Sequence, residues 1–413
     1  MIRKIVGLSF AASATLFAQS DLEQLKTQLA QQQRIIATLQ QRVEELETKQ
    51  TSATAATTAT ATVQAQSSTF DQKSFLPDIA LILNGSAAGR NVDNSTYESY
   101  FIPGFSEFDP DEESEIPFNK NRGFNFNYAE LALHSTVGPY FDADAVFHLH
   151  PDEFEIEEAY ITSRALPCGL RAKAGKFLSE FGRINSIHQH AWDFTSQPLA
   201  YEATFGAEGL NDAGAQLQWI LPADTYLMAG VEALQGSNDV SFGDIEKNNL
   251  YVGYLKTGTD ITENTTLLSG LSIAHGKNEE GLDTDVYGAD LTLKTMLDSY
   301  SSLAWQSELL YRDKDTSQGD HDQAGYYTQL VYDYNQNWAT GIRYERLYKN
   351  LADMPNDLDR TSAMLEYKPF EFSKFRLQYA YDRSKMFGDE RKNISEILLD
   401  FTIEAGAHGA HAF

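Results

Sequence analysis

The sequence predicts an all-β protein, a transmembrane antiparallel β-barrel of about 16 strands preceded by an α-helical coiled-coil segment. From residue 75 onward, apolar and polar residues alternate in one segment after another. This is the pattern of strands that have one face in an apolar medium and the other in a polar one. The connections alternate between short turns and long polar loops, which is typical of outer-membrane barrels. Both observations favour a closed barrel over a soluble sandwich, in which the apolar faces would form a shared core.

The C-terminal segment shows the alternation most clearly. Over residues 396–405 the odd positions, such as Ile397, Leu399 and Phe401, are apolar, and the even positions are mostly polar. Elsewhere, aromatic residues gather toward the ends of such segments, as a belt at a membrane interface requires. The chain ends on Phe413, in phase with the apolar face. A terminal Phe in this position resembles the signal that bacterial barrel-assembly machinery reads on a closing strand.

The composition suits a barrel with a charged, wet interior and excludes several other classes of protein. The 413 residues include 59 acidic and 32 basic ones, and the net charge is -27. The phosphates of a nucleic acid would repel so acidic a protein. After the N-terminus no run of about 18 apolar residues occurs, so no transmembrane helix is predicted. Cys168 is the only cysteine, which excludes an intramolecular disulfide, and no set of nucleophile, base and acid predicts an enzyme.

Three segments precede the predicted barrel, which covers residues 75–413. Residues 1–18 contain two basic residues, an apolar core and a terminal alanine, and are predicted to be a signal peptide. Residues 19–50 carry apolar residues at heptad spacing, and so narrow a seam predicts a coiled-coil oligomer in the periplasm. A trimer is preferred over a dimer, and a single amphipathic helix lying on the barrel is the alternative. Residues 51–74 are rich in Ala, Thr, Ser and Gln and are predicted to be a flexible linker.

The long loop at residues 178–211 contains the sharpest candidate site. His188, His190 and Asp193 offer two imidazoles and a carboxylate within six positions. In an extended backbone, residues two apart lie on one face, so both imidazoles would point the same way. Imidazole nitrogen and carboxylate oxygen suit zinc or a similar divalent metal. We therefore predict a metal site here, and the alternative is that both histidines make structural hydrogen bonds.

Charged residues on the inferred inner face are candidates for lining and constricting a channel. Carboxylates beside two histidines on one predicted strand would attract cations. Basic residues in neighbouring segments could oppose those carboxylates across the constriction and create a transverse field that orients dipolar solutes. The residues predicted to line or constrict the channel are Asp142, Asp144, His148, His150, Arg171, Lys173 and Arg183.

Two further groups are weaker candidates. An acidic run in the first long loop is either a solvated surface, a site where divalent ions bridge to lipopolysaccharide, or a means of drawing cations to the mouth. His408 and His411 are three apart and would face opposite sides of a strand, so a joint metal site needs a bend at Gly406 or Gly409. The members of the acidic run are Asp109, Asp111, Glu112, Glu113 and Glu115.

Short motifs in the barrel region resemble two known families. Residues 157–160 (EEAY) and 174–185 (AGKFLSEFGRIN) look like the phosphate-selective porin O/P family, whose members are sixteen-stranded trimeric outer-membrane channels. Residues 187–194 (IHQHAWDF) and 406–411 (GAHGAH) look like a related group labelled zinc-regulated TonB-dependent outer-membrane receptor. The first resemblance implies that the loop after the fifth strand folds inward and sets the constriction.

Neither full family function follows from these motifs. Phosphate selectivity in the O/P family relies on basic residues in the lumen, whereas this chain is strongly acidic. A TonB-dependent receptor needs a plug domain and a barrel of about 22 strands, for which residues 75–413 are too few. The resemblance therefore supports the barrel itself.

These observations predict a porin in the outer membrane of a Gram-negative bacterium. It would let small hydrophilic solutes, preferably cations, diffuse passively. The expected contacts are membrane lipid, lipopolysaccharide and two further copies of the chain in a homotrimer. One alternative is an uptake channel or receptor for zinc or another divalent metal that uses His188, His190 and Asp193. A second alternative is a structural tether that links the outer membrane to a periplasmic partner through the coiled coil.

Overall fold

The computed structural model describes residues 77–106, 116, 118–150, 153–238, 240–243, 249–349, 355–388 and 390–406. The predicted signal peptide, coiled coil and linker, the acidic run of the first loop, and the terminal residues from His408 to Phe413 lie outside these residues. Among the helices in the described ranges, none is both long enough and apolar enough to cross a membrane.

The described residues form one closed antiparallel barrel of 16 strands, which confirms the predicted all-β barrel and its strand number. Each strand pairs with the next one along the chain, and the last strand closes the barrel against the first. The strands are β1 (Asp78–Arg90), β2 (Gly123–Val137), β3 (Phe141–Leu149), β4 (Phe154–Ser163), β5 (Leu170–Leu178), β6 (Asn211–Ile220), β7 (Tyr226–Leu234), β8 (Leu250–Thr262), β9 (Thr265–Lys277), β10 (Asp283–Met296), β11 (Ser302–Thr316), β12 (Gly319–Asp333), β13 (Trp338–Lys349), β14 (Leu358–Tyr367), β15 (Ser373–Asp382) and β16 (Ile394–Gly406).

Short helices and turns occur in the connections between strands. They are the helices α1 (Asn94–Tyr97) and α2 (Leu199–Phe205), the 3₁₀ turns Pro167–Gly169 and Gln189–Ala191, and a small hairpin that pairs Met386–Phe387 with Glu390–Arg391. Because the strand number is even, β1 begins and β16 ends at the same end of the barrel. We call this the short-turn end, and we call the opposite end the long-loop end because it carries the long connections after β1 and β5.

Alternation along the strands turns apolar side chains outward and polar ones inward. In β15, Phe375, Leu377 and Tyr379 are exposed, whereas Arg376 and Gln378 are buried. Such a pattern is incompatible with two stacked sheets that bury their aromatic rings between them. The alternation predicted from residue 75 onward is therefore confirmed in this strand.

Aromatic residues on the outer wall collect at the two rims of the barrel. Exposed rings at the short-turn end include Tyr140, Phe141, Tyr226, Tyr300, Trp338, Phe370 and Phe375. Exposed rings at the long-loop end are Phe124, Phe154, Tyr251, Tyr287, Tyr311, Tyr348 and Tyr381. Two aromatic rims separated by an aliphatic band match the girdles that barrels place at the two interfaces of a membrane.

Candidate channel constriction and its histidine cluster

The connection between β5 and β6, residues 179–210, folds into the barrel, and we call it the constriction loop. Its backbone amides donate hydrogen bonds to side chains of the inner wall: Glu180 to Glu232 Oε1 at 3.0 Å, Arg183 to Glu308 Oε2 at 2.8 Å, Leu199 to Glu345 Oε1 at 2.7 Å, and Thr195 to Gln378 Oε1 at 2.8 Å. These acceptors lie on β7, β11, β13 and β15. The loop therefore crosses the interior from one wall to the other, as the resemblance to the O/P family implied.

Apolar packing also holds the constriction loop against the wall. Phe181, Tyr201 and Phe205 are fully buried in a cluster that continues onto wall residues. Gly182 makes the turn between these rings with a φ of 63°, and a Cβ at this position would overlap the Tyr201 hydroxyl. A side chain at Gly182 would therefore push the loop away from the wall.

The constriction loop divides the interior into unequal spaces. On the long-loop side, two cavities of about 100 and 60 Å³ lie against it, and Phe118 and Trp192 line both. On the short-turn side there is an open cavity of about 680 Å³, lined by residues that include Arg183, Lys256 and Asp290. The two small cavities lie where the constriction loop meets Phe118 of the first long loop.

The inner wall at β13–β15 is basic, and most of its cations are paired. Arg360 Nε lies 2.7 Å from Glu345 Oε2, and Arg376 Nη2 lies 2.6 Å from Glu366 Oε2. Arg343 packs over the Phe194 ring at 4.6 Å. No sequence pattern singled out these residues as the basic side of the constriction, because alternation along β15 indicates only that Arg376 faces inward.

The predicted basic residues lie elsewhere. Arg171 shares the inner face with its cross-strand partner Gln218 and is exposed toward the short-turn end. The Lys173 ammonium lies 4.5 Å from the centre of the Tyr160 ring. Arg183 belongs to the constriction loop and lines the large cavity. Arg171 and Lys173 lie on β5, two strands from Asp142 and Asp144 on β3, so they do not oppose those carboxylates across the constriction as predicted. The basic residues of the opposite wall include Arg360 and Arg376.

The predicted carboxylates of β3 do reach the inner face, but they lie near the short-turn end and have local partners. Asp144 Oδ1 lies 2.6 Å from His134 Nδ1, and Asp142 Oδ1 lies 3.4 Å from Arg164 Nη1. Both pairs are partly exposed, so each is worth little energetically. The residue of β3 that approaches the constriction loop is His148.

Four histidines meet at the constriction, and this is the cluster that the two predicted pairs form together. His148 is on the wall, His150 follows the end of β3, and His188 and His190 come from the constriction loop. The rings of His188 and His190 have their centres 5.7 Å apart, and those of His148 and His150 lie 5.8 Å apart. The loop pair converges across the 3₁₀ turn at Gln189–Ala191, not along the extended backbone that was predicted.

Buried carboxylates from β2 and β4 hold these imidazoles. Glu130 Oε2 lies 3.4 Å from His148 Nε2 and 3.1 Å from His190 Nδ1. Glu157 Oε2 lies 2.9 Å from His148 Nε2 and 3.3 Å from His188 Nδ1. Glu158 Oε2 lies 2.9 Å from the other ring nitrogen of His188. We call the side chains named in this paragraph the histidine–glutamate cluster.

A β-bulge explains how two successive glutamates can both face inward. The pairing of β3 with β4 shifts between Val146 and Phe147, so Glu157 has no partner opposite it. Glu157 and Glu158 are then both buried, where regular alternation would have turned one carboxylate to the apolar outer wall. Adjacent carboxylates in a strand with an apolar face are a signal from which this bulge could have been predicted.

Burial and the neighbouring carboxylates shift the pKa values of the two loop histidines in opposite directions. Burial favours a neutral ring at His188, but Glu157, Glu158 and Glu130 outweigh this effect and raise its pKa well above the usual range. At His190 burial is stronger than the attraction of Glu130 and lowers the pKa.

Asp193 does not join the cluster. Its Oδ2 accepts a hydrogen bond from Gln329 Nε2 at 2.8 Å, and burial raises the pKa of its carboxyl. The chain leaves the 3₁₀ turn toward β13–β15, where Arg376 donates to the carbonyl of Trp192 at 2.7 Å. The structure therefore does not bring Asp193 together with His188 and His190, as predicted, and places wall glutamates beside these histidines instead. Those glutamates are far from the loop in the sequence, so no local sequence pattern connects them with the loop histidines.

The barrel and its inward loop together define the fold of outer-membrane porins. The structure aligns with the outer membrane channel DcaP of Acinetobacter baumannii at a TM-score of 0.52 and 10% identity, covering 80% of this chain and 97% of that one. It aligns with the trimer form of OmpT, an outer membrane protein of Vibrio cholerae, at a TM-score of 0.51 and 11% identity, covering 80% and 99% of the two chains.

Sequence similarity places the chain in a family. An uncharacterized protein of Aquifex aeolicus (strain VF5) is 41% identical over 389 residues, which cover 84% of this chain and 82% of that protein. The chain belongs to the same family as this Aquifex aeolicus protein. No protein-family model matches the chain.

Proposed function

We propose that the protein is an outer-membrane porin through which small hydrophilic solutes diffuse passively. The observation that carries this proposal is the distribution of side chains, with apolar residues around the outer wall and charged residues along the interior. A barrel of this kind presents its apolar band to lipid and keeps a polar lumen. The porin fold supports the same function.

The proposed orientation follows from the two ends of the barrel. In outer-membrane barrels the turns at the periplasmic end are short and the loops at the outer end are long. The short-turn end, where β1 begins and β16 ends, would then face the periplasm. The long-loop end would face outward, in contact with lipopolysaccharide, and the residues before β1 would be periplasmic, where we predict the coiled coil.

The constriction loop would set the size limit for solutes. It is tied to four strands of the wall and leaves only small cavities on its outer side. Solutes would have to pass between the acidic wall at β2–β4 and the basic wall at β13–β15. Opposed charges of this kind orient dipolar solutes in a constriction.

We also propose a modest preference for cations. The chain carries a net charge of -27, and two basic groups of the opposite wall, Arg360 and Arg376, are already paired with Glu345 and Glu366. Carboxylates at and above the constriction would therefore dominate the local potential. A homotrimer is proposed as well, and it is supported by the heptad spacing of residues 19–50 and by the trimer form of OmpT.

Planar-bilayer recording of the purified, folded full chain tests this function. We expect discrete conductance steps, and a reversal potential in a KCl gradient with the sign of a cation-preferring channel. The same preparation unfolded by boiling is the control for contaminating channels. If the folded barrel gives no steps and no sugar influx in liposome swelling, the porin proposal is wrong. Steps with the reversal potential of an anion-preferring channel would overturn the cation preference alone.

A further inference from the structure

We propose that the histidine–glutamate cluster is a binding site for a divalent transition metal of the zinc class, which would fasten the constriction loop to the barrel wall. The ligands are His148 Nε2 and Glu130 and Glu157 carboxylate oxygens from the wall, and His188 Nδ1 from the loop. These groups come from β2, β3, β4 and the loop, so no single segment could form the site alone.

The spacing of the four atoms fits one metal ion. Ligands at the zinc–nitrogen distance of about 2.0–2.1 Å stand about 3.3 Å apart at the corners of a tetrahedron. The four imidazole–carboxylate separations are 2.9, 3.3, 3.4 and 3.9 Å. These four separations, out of the six edges of a tetrahedron, lie on both sides of that value, and ligand atoms of Glu130, His148 and Glu157 all lie within 4.8 Å of one another.

Burial supplies a second and independent reason. Glu130, His148 and Glu157 are 2%, 4% and 7% exposed. Glu157 Oε2 is buried and receives no hydrogen bond of normal geometry from any described residue, although two imidazole nitrogens point toward it. Two carboxylates buried side by side need positive charge close by, because unpaired buried charges cost several kcal/mol each. In the metal-free cluster His188 supplies part of that charge, because the glutamates raise its pKa. A divalent cation would replace the proton of His188 and bring two positive charges to the point where the four groups converge.

The surrounding groups have the arrangement of an outer coordination shell. A histidine that binds metal through one ring nitrogen usually donates its other N–H to a carboxylate. His188 does so through Nε2, 2.9 Å from Glu158 Oε2, which leaves Nδ1 facing the cluster. Glu158 is itself held in place, since its Oε1 accepts the Leu178 amide at 2.8 Å. On the wall, the Tyr128 ring stacks on His148 with the ring centres 4.8 Å apart.

The donor set indicates which metal would bind. Two imidazoles and two carboxylates suit zinc and its transition-metal neighbours, whereas calcium and magnesium prefer oxygen ligands alone. The cavity beside the cluster is lined by His150 and Glu155 and lies on the long-loop side of the constriction loop. The ion would therefore reach the site from that side of the barrel.

Metal binding can be measured without reference to transport. The full chain, without an added histidine tag, is folded in detergent, stripped with a chelator and dialysed against micromolar Zn²⁺ or Ca²⁺, and bound metal is counted. We expect about one Zn²⁺ per chain and no Ca²⁺. Failure of the parent protein to retain Zn²⁺ would overturn the proposal.

Variants locate the site. We expect His148→Gln and His188→Gln each to abolish retention, and Glu158→Gln to weaken affinity about 10- to 100-fold, as changes to outer-shell partners do. His275→Gln is a matched control, because His275 also pairs with a carboxylate, Asp285, at 2.9 Å, but on β9. A double variant His408→Gln, His411→Gln excludes the chain terminus as the source of binding. Equal Zn²⁺ retention by His188→Gln and by the His275 control would refute the assignment.

Cobalt gives a readout that does not depend on retention or on folding yield. Co²⁺ in a four-coordinate site absorbs visible light far more strongly than six-coordinate Co²⁺. We expect the strong spectrum in the parent and in the His275→Gln control, and its loss in His148→Gln samples that still migrate as folded barrels on unheated gels. A weak six-coordinate spectrum in the parent would contradict the four-ligand site.

A consequence for transport rests on the proposed function. Because His188 is on the loop and His148 is on the wall, a bound ion would restrict movement of the constriction loop. We expect micromolar Zn²⁺ to lower current fluctuations and unit conductance in the parent but not in His188→Gln. If the barrel retains zinc but conducts nothing, the metal site is supported and the porin function is refuted. If it conducts but retains no zinc, the porin function is supported and the metal site is refuted.

Discussion

Glu308 shows how a single buried carboxylate can hold a loop. Its oxygens accept the backbone amides of Arg183 and Ile184 at 2.8 and 3.1 Å and the hydroxyl of Tyr201 at 2.7 Å. The hydroxyl of Tyr327 donates to the same carboxylate from the neighbouring strand. Glu308 therefore acts as an anchor for the constriction loop, and its charge is not presented to solutes in the lumen.

Replacing Glu308 should loosen the constriction. In Glu308→Ala several buried donors lose their acceptor, and each unsatisfied group costs about 1–3 kcal/mol. We expect the loop to leave the wall, so that sugars excluded by the parent enter liposomes containing the variant. Glu308→Gln, which keeps one acceptor oxygen, should show a smaller effect. An unchanged size limit in Glu308→Ala would mean that the loop is held without this residue.

The helix α2 joins the constriction loop to two other parts of the protein. Glu202 in its first turn lies 3.1 Å from Arg360 Nη1 on β14 and 3.0 Å from Lys385 Nζ in the loop after β15. It also accepts the hydroxyl of Tyr100, from the first loop, at 3.0 Å. Burial favours its protonated form, but Lys385 and Arg360 outweigh burial and lower the pKa of Glu202 from 4.5 to about 2.

Acid should release this helix in a defined range of pH. Because the pKa of Glu202 is lower in the folded protein than in the unfolded chain, its pairs stabilise the fold above pH 4.5, and this contribution is lost as the pH falls toward 2. We expect Glu202→Gln to conduct more than the parent at pH 6, and the two to converge near pH 2. Conductances that differ by the same ratio at both pH values would rule out this role for the ion pairs.

Closure of the whole barrel depends on the seam between β1 and β16. Asn84 Nδ2 on the inner face donates to Asp400 Oδ2 and Thr402 Oγ1 at 2.9 and 3.0 Å. On the outer face the Phe401 ring covers Gly85, where a Cβ would lie 2.6 Å from the ring. The aromatic ring thus compensates for the missing side chain of the glycine at the point where the barrel closes.

A side chain added at Gly85 should destabilise the seam between β1 and β16. Gly85→Ala must displace the Phe401 ring, and we expect a cost of about 1–2 kcal/mol, as for overpacking elsewhere. Gly89→Ala on the same strand is the control, since the nearest atom to its Cβ would be 4.0 Å away. The midpoint temperature at which the folded barrel unfolds on semi-native gels measures the difference. Equal midpoints for the two variants would contradict the importance of this contact.

The strands and their facing were predictable because they depend on local information. A strand with lipid on one side and water on the other must alternate with a period of two, so neighbours in the sequence suffice to place Arg376 inward and Leu377 outward. The turns between such segments then give the number of strands. The inward course of the loop at residues 178–211 was implied by a resemblance to a known family, and its hydrogen bonds to four strands agree with that implication.

The histidine–glutamate cluster depends on information that no local pattern contains. Glu130 lies opposite His148 because of the β2–β3 register, and Glu157 turns inward because a bulge shifts the pairing of β3 with β4. His188 then reaches both because the loop is anchored on distant strands, and the same anchoring carries Asp193 away. Alternation fixes which face a side chain takes, but which residues meet across that face depends on register, bulges and loop anchoring, all of which involve residues far apart in the chain.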